Sequence, residues 1–542
     1  GFGAIIGYCN DQFVLPKVIF NYLGQFDKKN IPAFQNPILS KDLSHNWTIT
    51  NEDSGESIDS SNFDYYIINI NGWIIDEQLH FNIISKFDEI NTKKFGTLFK
   101  DNLERLIDHV VSQKTCQLTV SDVGCIVSQS YLDKIQYNKE IENVYLANSL
   151  QQGFIYHALN QGEIDDAYRV QLIWDYESEI EEDKLQLAWQ YAQFKYPSLR
   201  LRFAWQEELV QIIDKQGCLD FRYINLTKES LENQEKKIKK LQETDRKEFY
   251  DLSKGNLFRV YLIKRKEDLY TCIFSNHHSI LDGWSNSILF EFVHDVYFRL
   301  IDGKKLDNEK DYAYGHTQQF LQENINTHKN FWEKYIDTFE KEADFRGLLS
   351  LHARHLKINE YNLVTKSEEQ TLIIQGNLYH KLKKLIVREG VTFNAVLQYV
   401  WHRVLSIYSN SKQTTVGTTI SGRNLPIDGV EKSVGLFINT LPLIINHKAS
   451  KTFQFIDEIK DLQNNINEIN DKGNTLLSNL HHNGERLFNS IFIYENYLES
   501  KENINKKRIN LNFKKSIEKL DYPLGIFAYE DQEKLIFNLK FA

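Results

Sequence analysis

The sequence predicts an α/β protein built from more than one unit. Three observations predict this. The chain has 542 residues, several times the roughly 100–200 that one domain takes. Stretches with a helical apolar period alternate with stretches that read as strands. A segment with neither period, residues 113–143, separates a small first part, 1–112, from a longer second one.

The elements follow in order. Lys17–Tyr22 reads as a strand closed by Gly24, and Phe63–Ile70 as another, with Asn71-Gly72 as a possible turn. Leu79–Ile83 alternates like a half-buried strand. Phe95, Leu98, Phe99, Leu103, Leu106, Ile107 and Val110 share one face of a helix. The segment 113–143 reads as a linker with one short helix, Gln129–Ile135. Beyond it, Gln151–Asn160 and Leu185–Tyr196 read as helices, the second ended by Pro197. Tyr168–Tyr176, Phe258–Ile263 and Leu269–Ser275 read as strands. Leu231, Ile238 and Leu241 form one stripe on a charged helix. Ser285 stands where a helix cap belongs, ahead of Ile288, Phe292, Val293 and Val296. A second α/β half runs from about Tyr314 to the end. It has a helix with Phe320, Phe331 and Trp332, a helix Asn394–Ile407, and strands near Thr415–Ile420 and Phe437–Ile445.

Composition narrows the function. Lys+Arg number 64 against 74 Asp+Glu, so the net charge is −10. A nucleic-acid binder needs a basic face, and anionic membranes attract basic segments. The longest apolar stretch, Val434–Ile445, is broken by Asn439 and Thr440, and a spanning helix needs about 18 or more apolar residues. Cys9, Cys116, Cys125, Cys218 and Cys272 form no CxxC pair and are odd in number. Neither a zinc site nor a disulfide framework is expected, and a reducing, cytoplasmic setting is. Gly1–Ile6 lacks the basic region of a signal peptide. The chain has no methionine, and its first residues are already patterned, so it is expected to be a piece of a larger polypeptide.

The strongest local signal is Asn276-His-His-Ser-Ile-Leu-Asp-Gly-Trp-Ser285, placed directly between a strand and a helix. Reactive side chains stand at such strand ends, where the loop faces a crevice. Adjacent histidines on a strand point to opposite sides, so one faces the interior and the other a cleft. Gly283 after Asp282 permits a positive φ or a close backbone approach. The spacing HHxxxDG arises by chance in roughly one chain in 700 of this composition. Two other readings weigh against a reactive site. Both histidines satisfied in the core is one. The other is a metal site, for which adjacent histidines diverge and no Cys or Glu cluster completes a tetrahedron.

At these residues the sequence resembles condensation domains of nonribosomal peptide synthetases, related in fold to chloramphenicol acetyltransferase. Asn148–His157 is similar to the family's first motif and Pro197–Phe203 to its second. His277–Ser285 matches the third. Tyr312–Tyr314 with Phe331-Trp332 resembles the fourth, and Ser433–Pro442, preceded by Ser421–Arg423, the fifth. The resemblance covers about 144–542 and implies two lobes in a V, 144–312 and 313–542, with a tunnel between them. The end, Lys534–Ala542, departs from the family, in which a further helix usually follows; truncation is expected there. Phe20–Asp27, with Gly1-Phe-Gly3 ahead of it, is similar to the carboxy-terminal part of epimerization domains, which would make 1–112 an inactive remnant. Trp284-Ser285 follows Asp282-Gly283 in the order of condensation rather than epimerization domains.

The resemblance implies amide formation between two substrates delivered on phosphopantetheine arms of upstream and downstream carrier domains. An adenylation domain belongs to the same assembly line, and no metal or bound cofactor takes part. His278 is implied as the catalytic residue, either accepting the amine's proton or orienting the amine, in a through-channel open to both arms. Asp282 is implied to pair with Arg200, His277 to pack under the loop, and Gly283 to let the loop close. Trp284, Ser285, Ser421 and Asn439 are implied to line the tunnel. Two other functions are weighed. A stand-alone acyltransferase of the same fold would act on a soluble alcohol or amine, and a recruitment domain would have no chemistry.

Overall fold

The computed structural model describes residues 17–25, 66–75, 77–112, 117–161, 165–340, 368–447, 455–480, 487–495 and 508–541. Gly1–Gly3, Asp27, the start of the Phe63 strand, Cys9 and Cys116 lie outside them. The chain divides into two compact units, Gly1–Cys116 and Gln117–Ala542.

The first unit holds a three-stranded sheet and a helix. Strand β1 is Val18–Gln25, β2 Ile68–Ile75 and β3 Gln78–Ser85, in the order β1-β2-β3. Asn71-Gly72 makes no turn; it lies inside β2, where Gly72 pairs with Phe81 of β3. A Cβ on Gly72 would stand 2.6 Å from the Phe81 ring, so the glycine serves cross-strand packing. Helix α1, Glu89–Ser112, carries the apolar stripe, and none of its residues is fully buried.

The second unit begins with residues expected as linker. Helix α2, Gln129–Ile135, is capped by Ser128, whose Oγ accepts from the Tyr131 N–H at 3.2 Å. Val123, Val127, Tyr131, Leu132 and Ile141 are buried against Val144, Ala204, Val210 and Ile212. These apolar residues have no period along the chain. They meet over a small sheet of β4 (Ile141–Leu146), β6 (Leu201–Ala204) and β7 (Val210–Asp214).

Helix α3, Ser149–Gln161, leads to β5, Arg169–Tyr176, and then to α4, Glu182–Lys195. Strand β8 is Asp220–Asn225 and α5 is Leu231–Lys247. On α5 the buried residues are Gln234, Ile238, Gln242 and Asp245, while Leu231 is exposed, so the inner stripe is more polar than expected. Strands β9, Phe258–Lys266, and β10, Leu269–His277, complete the sheet, and α6 is Gly283–Ile301. The cap of α6 is Asp282, not Ser285; the Ser285 N–H donates to Asp282 Oδ1 at 2.8 Å. Trp189 of α4 stacks on Phe274 of β10 at 5.2 Å in the centre of this lobe.

In the second lobe, the expected helix with Phe320, Phe331 and Trp332 is two, α7 (Ala313–Glu323) and α8 (Lys329–Ile336). Strand β11, Glu368–Ile374, precedes α9, Gly376–Glu389, and α10, Phe393–Ser409. Then come β12, Gln413–Ile420, β13, Asn439–Asn446, and α11, Phe455–Asp471. Strands β14, Ser490–Glu495, β15, Leu511–Ile517, β16, Leu524–Asp531, and β17, Lys534–Phe541, end the described chain. The six-stranded sheet runs β11-β17-β16-β14-β12-β13 and has its own core around Trp332, Tyr379 and Phe492. The five-stranded sheet of the first lobe runs β15-β5-β10-β9-β8. Strand β15 thus leaves the second lobe, pairs antiparallel with β5 of the first, and returns.

Candidate active site

Strand β10 ends at His277, whose N–H donates to Leu257 O at 2.9 Å. The two imidazoles then part, as alternation along a strand demands. His277 is buried, and its Nδ1 accepts from the Ser279 N–H at 3.2 Å and lies 2.9 Å from Ser279 Oγ. Burial, then the charges of His278, Arg169 and His157, push its pKa down to about 3. It is a neutral structural residue, as expected.

The His278 N–H donates to Tyr168 O at 2.8 Å. Its ring lies 5.5 Å from that of Phe154, and 15% of its side chain remains open to solvent. Nε2 lies 3.2 Å from Glu518 Oε1. Nδ1 faces the residue's own carbonyl, too poorly aligned for a geometric hydrogen bond yet near enough to favour a proton there. Burial pulls the His278 pKa down, but the hydrogen bond and charge of Glu518 outweigh it, and the net shift is upward. Burial raises Glu518, and its bond to His278 with the charges of Lys540 and Arg246 brings it below its ordinary value.

Asp282 is the structural hub. Its Oδ1 accepts from the Ser285 N–H at 2.8 Å and Oγ at 2.7 Å, and its Oδ2 from the Phe437 N–H at 3.0 Å. Its ionic partner is Arg423, at 3.2 Å, and not Arg200. Arg423 donates in turn to Val430 O at 2.7 Å and Ser433 O at 2.9 Å. Arg200 belongs elsewhere. It sits in the 3₁₀ turn Pro197–Arg200 just after α4, folds back onto Gln193 O at 2.9 Å, and pairs with Glu142 at 3.0 Å. The free carbonyls at the C-terminal end of α4 attract that guanidinium.

Three other expectations are corrected. Ser285 does not line a tunnel: it is fully buried, bonded to Asp282 and, at 2.7 Å, to Gly435 O. Gly283 is the first residue of α6 and is not among the residues with positive φ. Trp284 is half-buried and donates from Nε1 to Glu431 O at 3.2 Å, beside the Arg423 guanidinium. Ser421 and Asn439 do face a cavity of about 270 Å³, walled also by Asn148, Ser149 and Phe437. His278 is not on its wall.

Hydrogen bonds gather the separate motifs around Val434–Phe437. Asn148 Nδ2 donates to Leu436 O at 3.0 Å and Ser198 Oγ to Val434 O at 2.8 Å. The Asp282 N–H donates to Gly435 O at 3.0 Å, and the Val434 N–H to Asp311 Oδ2 at 3.2 Å. Gln151 Nε2, from the first motif, donates to Ser279 O at 3.1 Å in the third. Sequence reasoning left Arg423 without a role, although the motif Ser421–Arg423 contained it. It missed Glu518 altogether, because no local pattern marks that residue.

The fold and this site define a class: two-lobed α/β proteins with an imidazole at the end of a central strand. Solved structures with the same fold include the condensation domain from Monacolin K polyketide synthase MokA, with a TM-score of 0.60, 14% identity, and cover of 74% of this chain and 92% of that one. The starter condensation domain of rhizomide synthetase RzmA gives a TM-score of 0.58 at 14% identity, covering 74% and 90%. Residues 141–542 match the sequence profile of the Condensation domain, and the chain belongs to that family. N-(5-amino-5-carboxypentanoyl)-L-cysteinyl-D-valine synthase is 38% identical in Penicillium rubens and 40% in Amycolatopsis lactamdurans, over 408 residues, 73% of this chain and 11% of each relative. Bacitracin synthase 3 of Bacillus licheniformis is 28% identical over 92% of this chain and 8% of its own. The chain therefore spans about a tenth of the length of these relatives.

Proposed function

We propose that this chain forms peptide bonds within a nonribosomal peptide synthetase. The amine of a carrier-bound aminoacyl thioester attacks the carbonyl carbon of a carrier-bound peptidyl thioester. The new C–N bond forms, the C–S bond breaks, and the donor arm leaves as a thiol. The amine's proton goes to His278, or His278 orients the amine and balances the charge that develops. General base work of this kind is worth roughly 10²–10⁴-fold. Holding two tethered reactants together supplies roughly 7–11 kcal/mol more. The observation that carries the reading is the His278 imidazole, partly open to solvent at the end of β10 in a chain of the condensation family.

Both substrates arrive on phosphopantetheine arms of neighbouring carrier domains, and an adenylation domain of the same assembly line selects the acceptor. No resident metal or cofactor takes part. Ser421 and Asn439 line part of the substrate path, and the setting is cytoplasmic. No described helix is long and apolar enough to cross a membrane, which agrees with that setting. The condensation lobes are 144–312 and 313–542, and 1–112 is the end of an upstream epimerization-like domain, so the donor ends in a D-residue. Similarity to a Linear gramicidin synthase of Brevibacillus parabrevis over 100% of this chain, at 26% identity, supports a first part that recurs ahead of condensation domains.

The test is dipeptide formation by the purified chain with both carriers loaded. Wild-type protein is expected to form it, and His278→Ala to lower the rate roughly 10²–10⁴-fold with an unchanged Tm. Equal turnover by that variant removes His278 from the mechanism. Turnover with free coenzyme A thioesters and no carriers would favour the stand-alone acyltransferase instead.

A further inference from the structure

We propose that Glu518 is the positioning residue of this site: its carboxylate holds the Nε2 proton of His278 and fixes the plane of the ring. The inference rests on His278 being the acting group of the proposed reaction, and it assigns the residue that sets that group's geometry.

Four observations carry it. Glu518 Oε1 lies 3.2 Å from Nε2, and both side chains are mostly enclosed, at 17% and 15% open. A carboxylate and an imidazole at that distance, shielded from bulk water, make a charge-assisted hydrogen bond. The chain also takes a long detour to put Glu518 there. After β14, in the six-stranded sheet, it crosses to the other lobe, adds β15 beside β5, and returns to β16. Glu518 is the first residue after β15, where the strand reaches the His278 end of the sheet.

The backbone around it is pinned. Ile517 O accepts from Arg246 at 3.5 Å, and Glu518 O accepts from Lys540 Nζ at 3.0 Å. Lys519 O accepts from the Tyr168 N–H at 3.3 Å. Lys519 Nζ is paired with Asp165, and with Asp166 at 3.4 Å. Finally, Tyr168 joins the two partners through one peptide frame. Its N–H holds Lys519 O while its own carbonyl accepts from the His278 N–H at 2.8 Å. The carboxylate and the imidazole cannot drift apart without breaking that frame. It follows the logic by which a buried carboxylate orients a working histidine in other acyl-transfer sites.

The charges around the pair are Asp282 and His277 on the His278 side, and Lys540 and Arg246 on the Glu518 side. Asp282 favours the imidazolium, His277 opposes it, and the two cations keep Glu518 ionised. Glu518 is the charge bonded directly to the ring, so its removal lowers the pH at which His278 titrates.

The experiment uses the whole 542-residue chain with ¹⁵N-labelled histidine. The His278 signal is identified by its loss in His278→Ala. In wild type the ring is expected to titrate above the ordinary value of about 6.5. Glu518→Gln keeps the shape and removes the charge, and should bring that midpoint down; Glu518→Asp should restore part of the shift. With both carriers loaded, Glu518→Gln should lower kcat at least about tenfold with KM unchanged, and move the acidic limb of the kcat profile to lower pH. An unmoved ring midpoint in a variant of unchanged Tm overturns the pairing. A moved midpoint with wild-type kcat at every pH overturns the positioning role. Should the wild-type chain make no dipeptide, the functional reading fails while the ring titration still decides the pairing. Should Glu518→Gln not fold, the ring midpoint in Glu518→Asp decides: lowered, it supports the pairing, and equal to wild type, it overturns it.

Discussion

Two residues of one motif titrate in opposite senses. Burial first, then His278, Arg169 and His157, hold the pKa of His277 down to about 3. The unfolded chain takes up that proton near 6.5, so the contribution is whole above 6.5 and is lost as pH falls toward about 3. His294, His402 and His447, pushed down to about 4, 3 and 4 chiefly by burial, act in the same sense. His278 is raised, so its contribution is whole below the ordinary histidine range and is lost as pH rises through its raised value. Glu518 is lowered, so its contribution is present above the ordinary carboxylate range and lost as pH falls through its lowered value. Urea midpoints measured from pH 7 to pH 4 should therefore fall, and fall less steeply in His277→Gln. The Asp282–Arg423 pair sits at 0% and 5% exposure. Removing either partner leaves a buried charge alone, at a cost of about 3–5 kcal/mol. Asp282→Ala and Arg423→Ala should both lose that much by denaturant unfolding. Arg200→Ala should leave the Asp282 contacts untouched, and a thermodynamic cycle between Arg200 and Asp282 should show no coupling.

At the scale of elements, the segment from Ser421 to Phe437 ties the lobes together by folding back on itself at Gly422. That residue has φ +62, and a Cβ on it would stand 1.8 Å from Phe437 O. A side chain meets both a left-handed backbone and a carbonyl that cannot move, because the Phe437 N–H is held by Asp282 Oδ2. Gly422→Ala should cost more than about 1–3 kcal/mol and carry Arg423 away from Asp282. A drop in Tm together with a loss of dipeptide formation checks this. Helix α6 shows the same economy: one Asp282 carboxylate caps its first turn and accepts from Arg423, so the cap and the link between lobes fail together.

For the whole molecule, the boundary at residue 117 has consequences. Val123, Val127, Tyr131, Leu132 and Ile141 are buried in the second unit. Burying each such side chain is worth roughly 1.5–3 kcal/mol, and a whole domain is stable by only about 5–15 kcal/mol. A chain of residues 117–542 is expected to unfold cooperatively, while 144–542 is expected to be insoluble or molten; circular dichroism melts compare them. The strand ends, most helices and the third motif were legible in the sequence, because periodicity and caps are local. The segment 117–143 was not, since its apolar residues acquire a common face only when the small sheet gathers them. By itself, then, the sequence determined the α/β alternation, the family, and the imidazole at the end of β10. Only the tertiary structure decided that Asp282 takes Arg423, that Ser285 is sealed, and that Glu518 reaches His278. Those pairings join residues more than a hundred positions apart, and no spacing along a chain encodes which distant charge arrives first at a buried one.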